Sequence, residues 1–221
     1  MGAHRAGGQE TLKPAGHGLR RVGEAWREMT RAVRADHAML HHYDSKYAAG
    51  LRHPGVSLGR DLVTRVGFQM LAACRVMHFC VEAGVPLAPQ IASRMIRHLY
   101  AADIHWEAEL APGIVFVHGM GLAISRAARV ERGAILFQNV TLGLGIDPES
   151  RAVGAPLVER DAHIGAGTTM VGPIRIGARS KVTSNCFVRS SVPPDSLVEA
   201  PVPTVSLRSG GEARARSEGG V

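Results

Sequence analysis

Between Ile104 and Val188 an apolar side chain returns at every sixth residue: Ile104, Leu110, Phe116, Leu122, Ala128, Ala134 and Val140, then Val158, Ile164, Met170, Ile176, Val182 and Val188. The step from Val140 to Val158 is eighteen residues, three sixes, and crosses a stretch rich in Gly, Pro and charge, so the register survives one loop over 144–157. A six-residue period predicts a parallel β-helix, because each repeat is a short strand plus a turn that can bury its apolar residue only beneath neighbouring repeats. Three sixes then make one turn of a triangular coil.

Ahead of this stretch a helical period prevails. Good helix formers dominate from Val22 to Tyr47 and predict one or two helices. His53, Pro54 and Gly55 mark a turn. A helix is expected from Asp61 to Glu82, with Leu62, Val66, Met70 and Cys74 at four-residue steps and Gly84 and Pro86 stopping it. A further helix from Pro89 to Tyr100 offers Ile91, Met95, Ile96 and Leu99 as its apolar face. The expected class is α+β: a flexible tail over 1–20, a helical domain over 21–101, the β-helix over 102–192, and a tail over 193–221 that mostly lacks fixed structure. Pro193 and Pro194 cannot donate to a sheet ladder, and the residues after 205 have almost no apolar anchor.

Charge and cysteine usage narrow the function classes. The 221-residue chain carries a formal net charge of +7. Its cations are dispersed Arg rather than a basic run interleaved with aromatics, so no nucleic-acid partner is expected. A small polyanion would profit from the same field. Cys74, Cys80 and Cys186 are odd in number and form no CxxC motif, which predicts a reducing cytoplasm and small core residues. The first residues lack the apolar run of a signal peptide, so no export is expected. Arg65, Gln69, Arg75, His78 and Glu82 interrupt the apolar stretch from Leu62 to Val85, so no membrane span is expected either.

Five short motifs carry a resemblance: "ADIH" at Ala102 to His105, "HGMG" at His118 to Gly121, "QNVTLG" at Gln138 to Gly143, "IGAGT" at Ile164 to Thr168 and "VPP" at Val192 to Pro194. With their spacing, they make the chain from about Val33 onward resemble the serine O-acetyltransferase family. That resemblance implies a helical domain followed by a left-handed hexapeptide β-helix, assembled as a homotrimer or as a hexamer of paired trimers, with acetyl-CoA as cosubstrate. It also implies a catalytic dyad matching Asp103 and His118. The chemistry agrees: moving an acetyl group from a thioester to a hydroxyl needs a base, imidazole has a suitable pKa, and its second nitrogen is commonly held by a carboxylate. Asp103 lies fifteen residues before His118, close to one turn of the coil. The plain alternative for Asp103 is a turn-capping carboxylate.

The acceptor side departs from the family pattern. The carboxylate that usually precedes the catalytic histidine is Val117, and the "RHP" after the loop is Gly154, Ala155 and Pro156. Asp44 matches the helical-domain Asp that contacts the substrate amino group. Losing Asp, Arg and His side chains from a site built for hydrogen bonds predicts an altered acceptor, other than plain L-serine. For the donor, the resemblance places Gly143, Gly165, Ala166, Lys181 and Ser184 along the pantetheine arm. Gly165 has a structural reading as well, since β-helix corners need residues tolerant of unusual backbone angles. Three-histidine zinc hydrolysis is not expected, because His105, His118 and His163 fall at different places in the repeat, and no metal is assigned. The alternatives are a plain serine O-acetyltransferase and a non-catalytic trimeric scaffold. Gly220 and Val221 faintly echo the family tail that inserts into cysteine synthase.

Overall fold

The computed structural model describes residues 16–47, 56–202 and 204. Among the described residues four helices precede a parallel β-helix: α1 (Gly16–Tyr47), α2 (Leu58–Thr64), α3 (Val66–Glu82) and α4 (Ala88–Tyr100). The helix α1 is a single element of 32 residues that begins inside the stretch assigned to the tail. The helix expected over Asp61 to Glu82 is two, because Arg65 takes an extended conformation, φ −111° and ψ 94°. Ser57 caps α2 by accepting from the Arg60 amide. The expected turn at His53, Pro54 and Gly55 lies outside the described residues. No described helix is long and apolar enough to cross a membrane.

The expected apolar face of α4 is mostly outward. Ile91, Met95 and Leu99 are exposed by 58%, 56% and 68%, and of that set only Ile96 is buried. The inward row instead holds Pro89, Ser93 and Ile96. Its hydroxyl is satisfied, since Ser93 Oγ donates to the Ile104 carbonyl. Ser93 lets α4 lie close on the first coil while Ile96 fills the space beside it, a selection by fit that hydrophobicity alone does not reveal.

The β-helix is a three-faced prism. Its first face stacks Asp103–Ile104, Ala123–Ile124, Thr141–Gly143, Thr169–Val171 and Phe187–Val188; the second stacks Glu109–Leu110, Arg129–Val130, Leu157–Val158 and Arg175–Ile176. The third stacks Val115–Val117, Ile135–Phe137, His163–Ile164, Lys181–Val182 and Leu197–Val198. The last strand extends the prism beyond Pro194, into the stretch assigned to the tail. A short antiparallel hairpin, Gly145–Ile146 against Val153–Gly154, forms the expected loop.

All thirteen positions of the six-residue series are buried in one continuous core. Their alignment is less simple than the period suggests. Ile104 pairs with Ile124 and Phe116 with Leu136, each twenty residues on, so two extra residues enter at the corner around His118 to Gly121. Leu142 is followed on the next coil by Met170, twenty-eight residues on, because the hairpin adds ten. Two and ten make two sixes, so the count returns to phase. Leu122, Ala128, Ala134 and Val140 stay buried throughout because each side of the coil points two residues inward, two positions apart.

The helices are joined to the coils by a buried ion pair. Arg75 of α3 donates to Asp36 of α1 through Nε at 2.8 Å and Nη2 at 3.0 Å. Its remaining donors reach the Leu110 and Ala111 carbonyls, and Asp36 Oδ1 accepts from the Gly113 and Ile114 amides at 2.7 and 3.3 Å. Beside it, burial and the Arg75 charge push the His78 imidazole down to about 4, so it stays neutral at pH 7. Burial pushes the Cys74 thiol up to about 12, consistent with the core role expected for it. The described cysteines are all free thiols.

Candidate active site

The corners that lead from the third face back to the first lie above one another and form one edge of the prism. Their backbones are bonded in a column: Gly121 N to Tyr100 O at 3.2 Å, Asn139 N to Met120 O at 2.9 Å, Gly167 N to Gln138 O at 3.1 Å and Asn185 N to Ala166 O at 2.8 Å. His118 opens the first full corner, Gly165 and Ala166 lie on the third, and Ser184 lies on the fourth. Asp103 begins the first strand and pairs across to Ala123, just after the His118 corner. The edge therefore gathers His118, Asp103, Gly165, Ala166 and Ser184, residues up to 81 positions apart in the chain.

His118 is exposed and sits in the left-handed region with φ 65°, which aims its side chain off the corner rather than into the core. The Asp103 carboxylate bonds Arg97 Nη2 at 2.5 Å rather than His118. Both members of that pair are exposed, by 56% and 59%. Gln138 Oε1 is buried without a hydrogen-bond partner among the described residues, on the same edge.

The coil is held against α3 here by a close approach. A Cβ on Gly67 would lie 1.9 Å from the Phe116 carbonyl oxygen, and one on Gly119 would lie 2.6 Å from the Met70 methyl. We expect Gly67→Ala to push α3 off the corner and cost about 1–3 kcal/mol, read as a lower urea midpoint. Retention of the wild-type midpoint would show that the contact is loose.

The residues expected on the acceptor side lie in mostly apolar surroundings. Val117 is half-buried in a cluster with Leu40, Phe68, Val115, Ile135 and Phe137 between the helices and the third face. Gly154 is pressed against Pro173, with 2.8 Å left for a Cβ, and Ala155 packs against the main core. Asp44 is buried and forms an ion pair with Arg65.

Of the residues expected along the donor, Gly143 is half-buried on the first face and Lys181 is exposed on the third, paired with His163. Gly165 has a sufficient structural reason: a Cβ there would lie 2.6 Å from the Ser184 amide. The three histidines weighed as zinc ligands are not brought together. His105 stacks on Trp106 at 4.1 Å, His163 packs against Tyr47 at 5.3 Å, and His118 stands on its corner.

One cluster escapes a reading based on period and motif. His37 and His41 lie four apart on α1, and both Nε2 atoms are 2.9 Å from Asp61 Oδ2. Burial would raise the Asp61 carboxyl, but hydrogen bonds with His37 and His41 hold it below the usual carboxylate range. The i, i+4 histidine pair on an expected helix was its only signal in the sequence.

No protein-family profile matches the chain. A serine acetyltransferase of Synechococcus elongatus is 33% identical over 160 residues, covering 72% of this chain and 65% of its own length. One of Mycobacterium tuberculosis is 32% identical over 127 residues, 56% of this chain and 53% of its own length. The solved serine acetyltransferase of Brucella abortus in complex with coenzyme A superposes with a TM-score of 0.68 at 26% identity, over 85% of this chain and 70% of that one. The chain belongs to the serine acetyltransferase family. It spans between about half and two thirds of the length of these curated relatives. The Neisseria gonorrhoeae enzyme, solved in complex with serine, shares the fold with a TM-score of 0.68 at 23% identity, over 85% of this chain and 72% of that one. Membership agrees with the motif resemblance. The far C-terminus, with Gly220 and Val221, lies outside the described residues.

Proposed function

We propose that this chain is an acetyl-CoA-dependent O-acyltransferase in which His118 takes the proton of an acceptor hydroxyl as its oxygen attacks the thioester carbonyl. The oxygen forms the new ester bond, the carbon–sulfur bond breaks, and the proton passes from imidazole to the departing thiolate of CoA. The observation that carries this reading is the hydrogen-bonded edge, which aligns the base with the corners assigned to the donor arm. From the His118 corner to the Ser184 corner there are three coil rises, roughly 14 Å, along which an extended arm can lie. Coenzyme A bound to the Brucella abortus relative supports the donor class.

Asp103 orients the imidazole in this reading. An exposed ion pair such as Arg97–Asp103 contributes about 0–1 kcal/mol, so turning the carboxylate to His118 costs little. Exposed Met120 at this edge, Phe187 on the first face, and Leu144 and Ile146 at the hairpin leave apolar surface, which a neighbouring copy in a trimer would cover.

The acceptor carries a hydroxyl but is not plain L-serine. Val117 presents an alkyl group where a carboxylate is expected, Gly154 has no room for an arginine stem, and Asp44 is neutralised by Arg65. Such a site leaves the ammonium and carboxylate of serine without partners. Acetyl-CoA offered with L-serine, L-homoserine, amino alcohols and sugars should give thiol release with one of the less polar acceptors, at least tenfold above L-serine in kcat/KM. Efficient turnover of L-serine would refute the remodelled pocket while leaving acyl transfer intact.

A further inference from the structure

We infer that His37, His41 and Asp61 form a binding site for one divalent transition-metal ion of the zinc class, joining α1 to α2. The three ligating atoms already converge: His37 and His41 Nε2 stand 3.2 Å apart, and each is 2.9 Å from Asp61 Oδ2. Zinc takes such atoms at about 2.0–2.1 Å, which sets tetrahedral ligands about 3.3 Å apart. The triangle is thus close to one face of a tetrahedron, with the fourth position open. Simple hydrogen bonding explains the arrangement less well. Both imidazoles crowd a single carboxylate oxygen, while the other oxygen has Arg60 Nη2 at 3.7 Å. Two neutral imidazole nitrogens and one carboxylate favour zinc, cobalt or nickel over the oxygen-seeking magnesium and calcium.

The surroundings suit a resident ion. His37 and Asp61 are buried, at 8% and 3% exposure, so few waters compete. The His41 side chain keeps 21% of its surface open and leaves a path from solvent. Four-residue spacing puts both rings on one side of α1, and Asp61 enters from α2, twenty residues beyond His41. The His37 ring packs on Phe68 at 5.2 Å, and Phe68 follows Gly67, the residue seated on the Phe116 carbonyl. An ion here fixes the α2–α3 bend one layer behind the His118 corner. It reaches beyond the sequence reading, which assigns no metal, and does not depend on the transferase reading.

The test uses the full chain stripped with a chelator and titrated with cobalt(II). One cobalt per chain is expected, with visible d–d absorption that zinc abolishes, and a raised melting temperature. His41→Gln should bind at least tenfold more weakly, whereas His42→Gln, at the exposed neighbour outside the cluster, should bind as the wild type does. X-ray absorption on the zinc-loaded wild type should show two imidazoles and a carboxylate oxygen, a readout that needs no variant. Absence of d–d bands in the wild type, wild-type affinity in His41→Gln, or a first shell without imidazole would each overturn the site.

Discussion

His118→Ala lowers CoA release with acetyl-CoA and a working acceptor by about two to four orders of magnitude, the usual worth of a positioned general base. The loss falls on kcat, because the imidazole acts on the hydroxyl proton only as the bond forms. Global unfolding is not the cause expected, since the His118 side chain is exposed on its corner rather than packed in the core. Its φ of 65° does disfavour Ala. His118→Asn is therefore the stricter variant, because Asn enters the left-handed region readily and cannot serve as the base. Both should be slow, with melting temperatures near wild type. If both release CoA at the wild-type rate, His118 is not the base, and the aligned edge is only a structural column.

Asp36→Ala produces the largest loss of stability, about 3–5 kcal/mol. The size follows from what is left behind. Arg75 is 3% exposed and Asp36 1%, so the variant strands a guanidinium where water cannot reach it. The Gly113 and Ile114 amides lose their acceptor at the same time. Those amides belong to the first coil, whereas Arg75 belongs to α3 and Asp36 to α1. One carboxylate therefore holds three parts of the molecule, and its removal should separate the helices from the β-helix. Chemical denaturation read by tryptophan fluorescence tests this: Trp26 lies on α1 against Phe79, and Trp106 lies in the first coil. A midpoint shift worth less than about 1 kcal/mol, the scale of an exposed pair, would show that water enters and solvates the arginine.

Arg75 also shows where sequence and structure part company. In the sequence it is one of the polar residues that interrupt an apolar helix, a sign only that the stretch does not span a membrane. Nothing local distinguishes it from the exposed Arg97 or Arg129, since its partner lies 39 residues away. The α4 face fails for a related reason: Ile91, Met95 and Leu99 form a clear apolar row, yet the coil takes the row of Pro89, Ser93 and Ile96, where the Ser93 hydroxyl bonds the Ile104 carbonyl. The inserted pair at His118 to Gly121 was hidden because the hairpin's ten residues completed two whole repeats. Asp103 and His118 were legible as chemistry, but the pairing of Asp103 with Arg97 was not. The two histidines of α1 were visible as a pair, while Asp61 joins them only through the fold.

By itself the sequence determined the kind of coil. One buried position every six residues admits few other architectures, because short strands can hide that residue only by stacking. It also carried the motifs of the family and put Val117, Gly154 and Ala155 where the family resemblance implies polar side chains, which are matters of residue identity. Only the tertiary structure decided which corner bears His118, how far the prism continues past Pro194, and which charges are buried. Those depend on contacts between residues remote in the chain, where an insertion of two or a neighbouring helix changes the partner without changing the period.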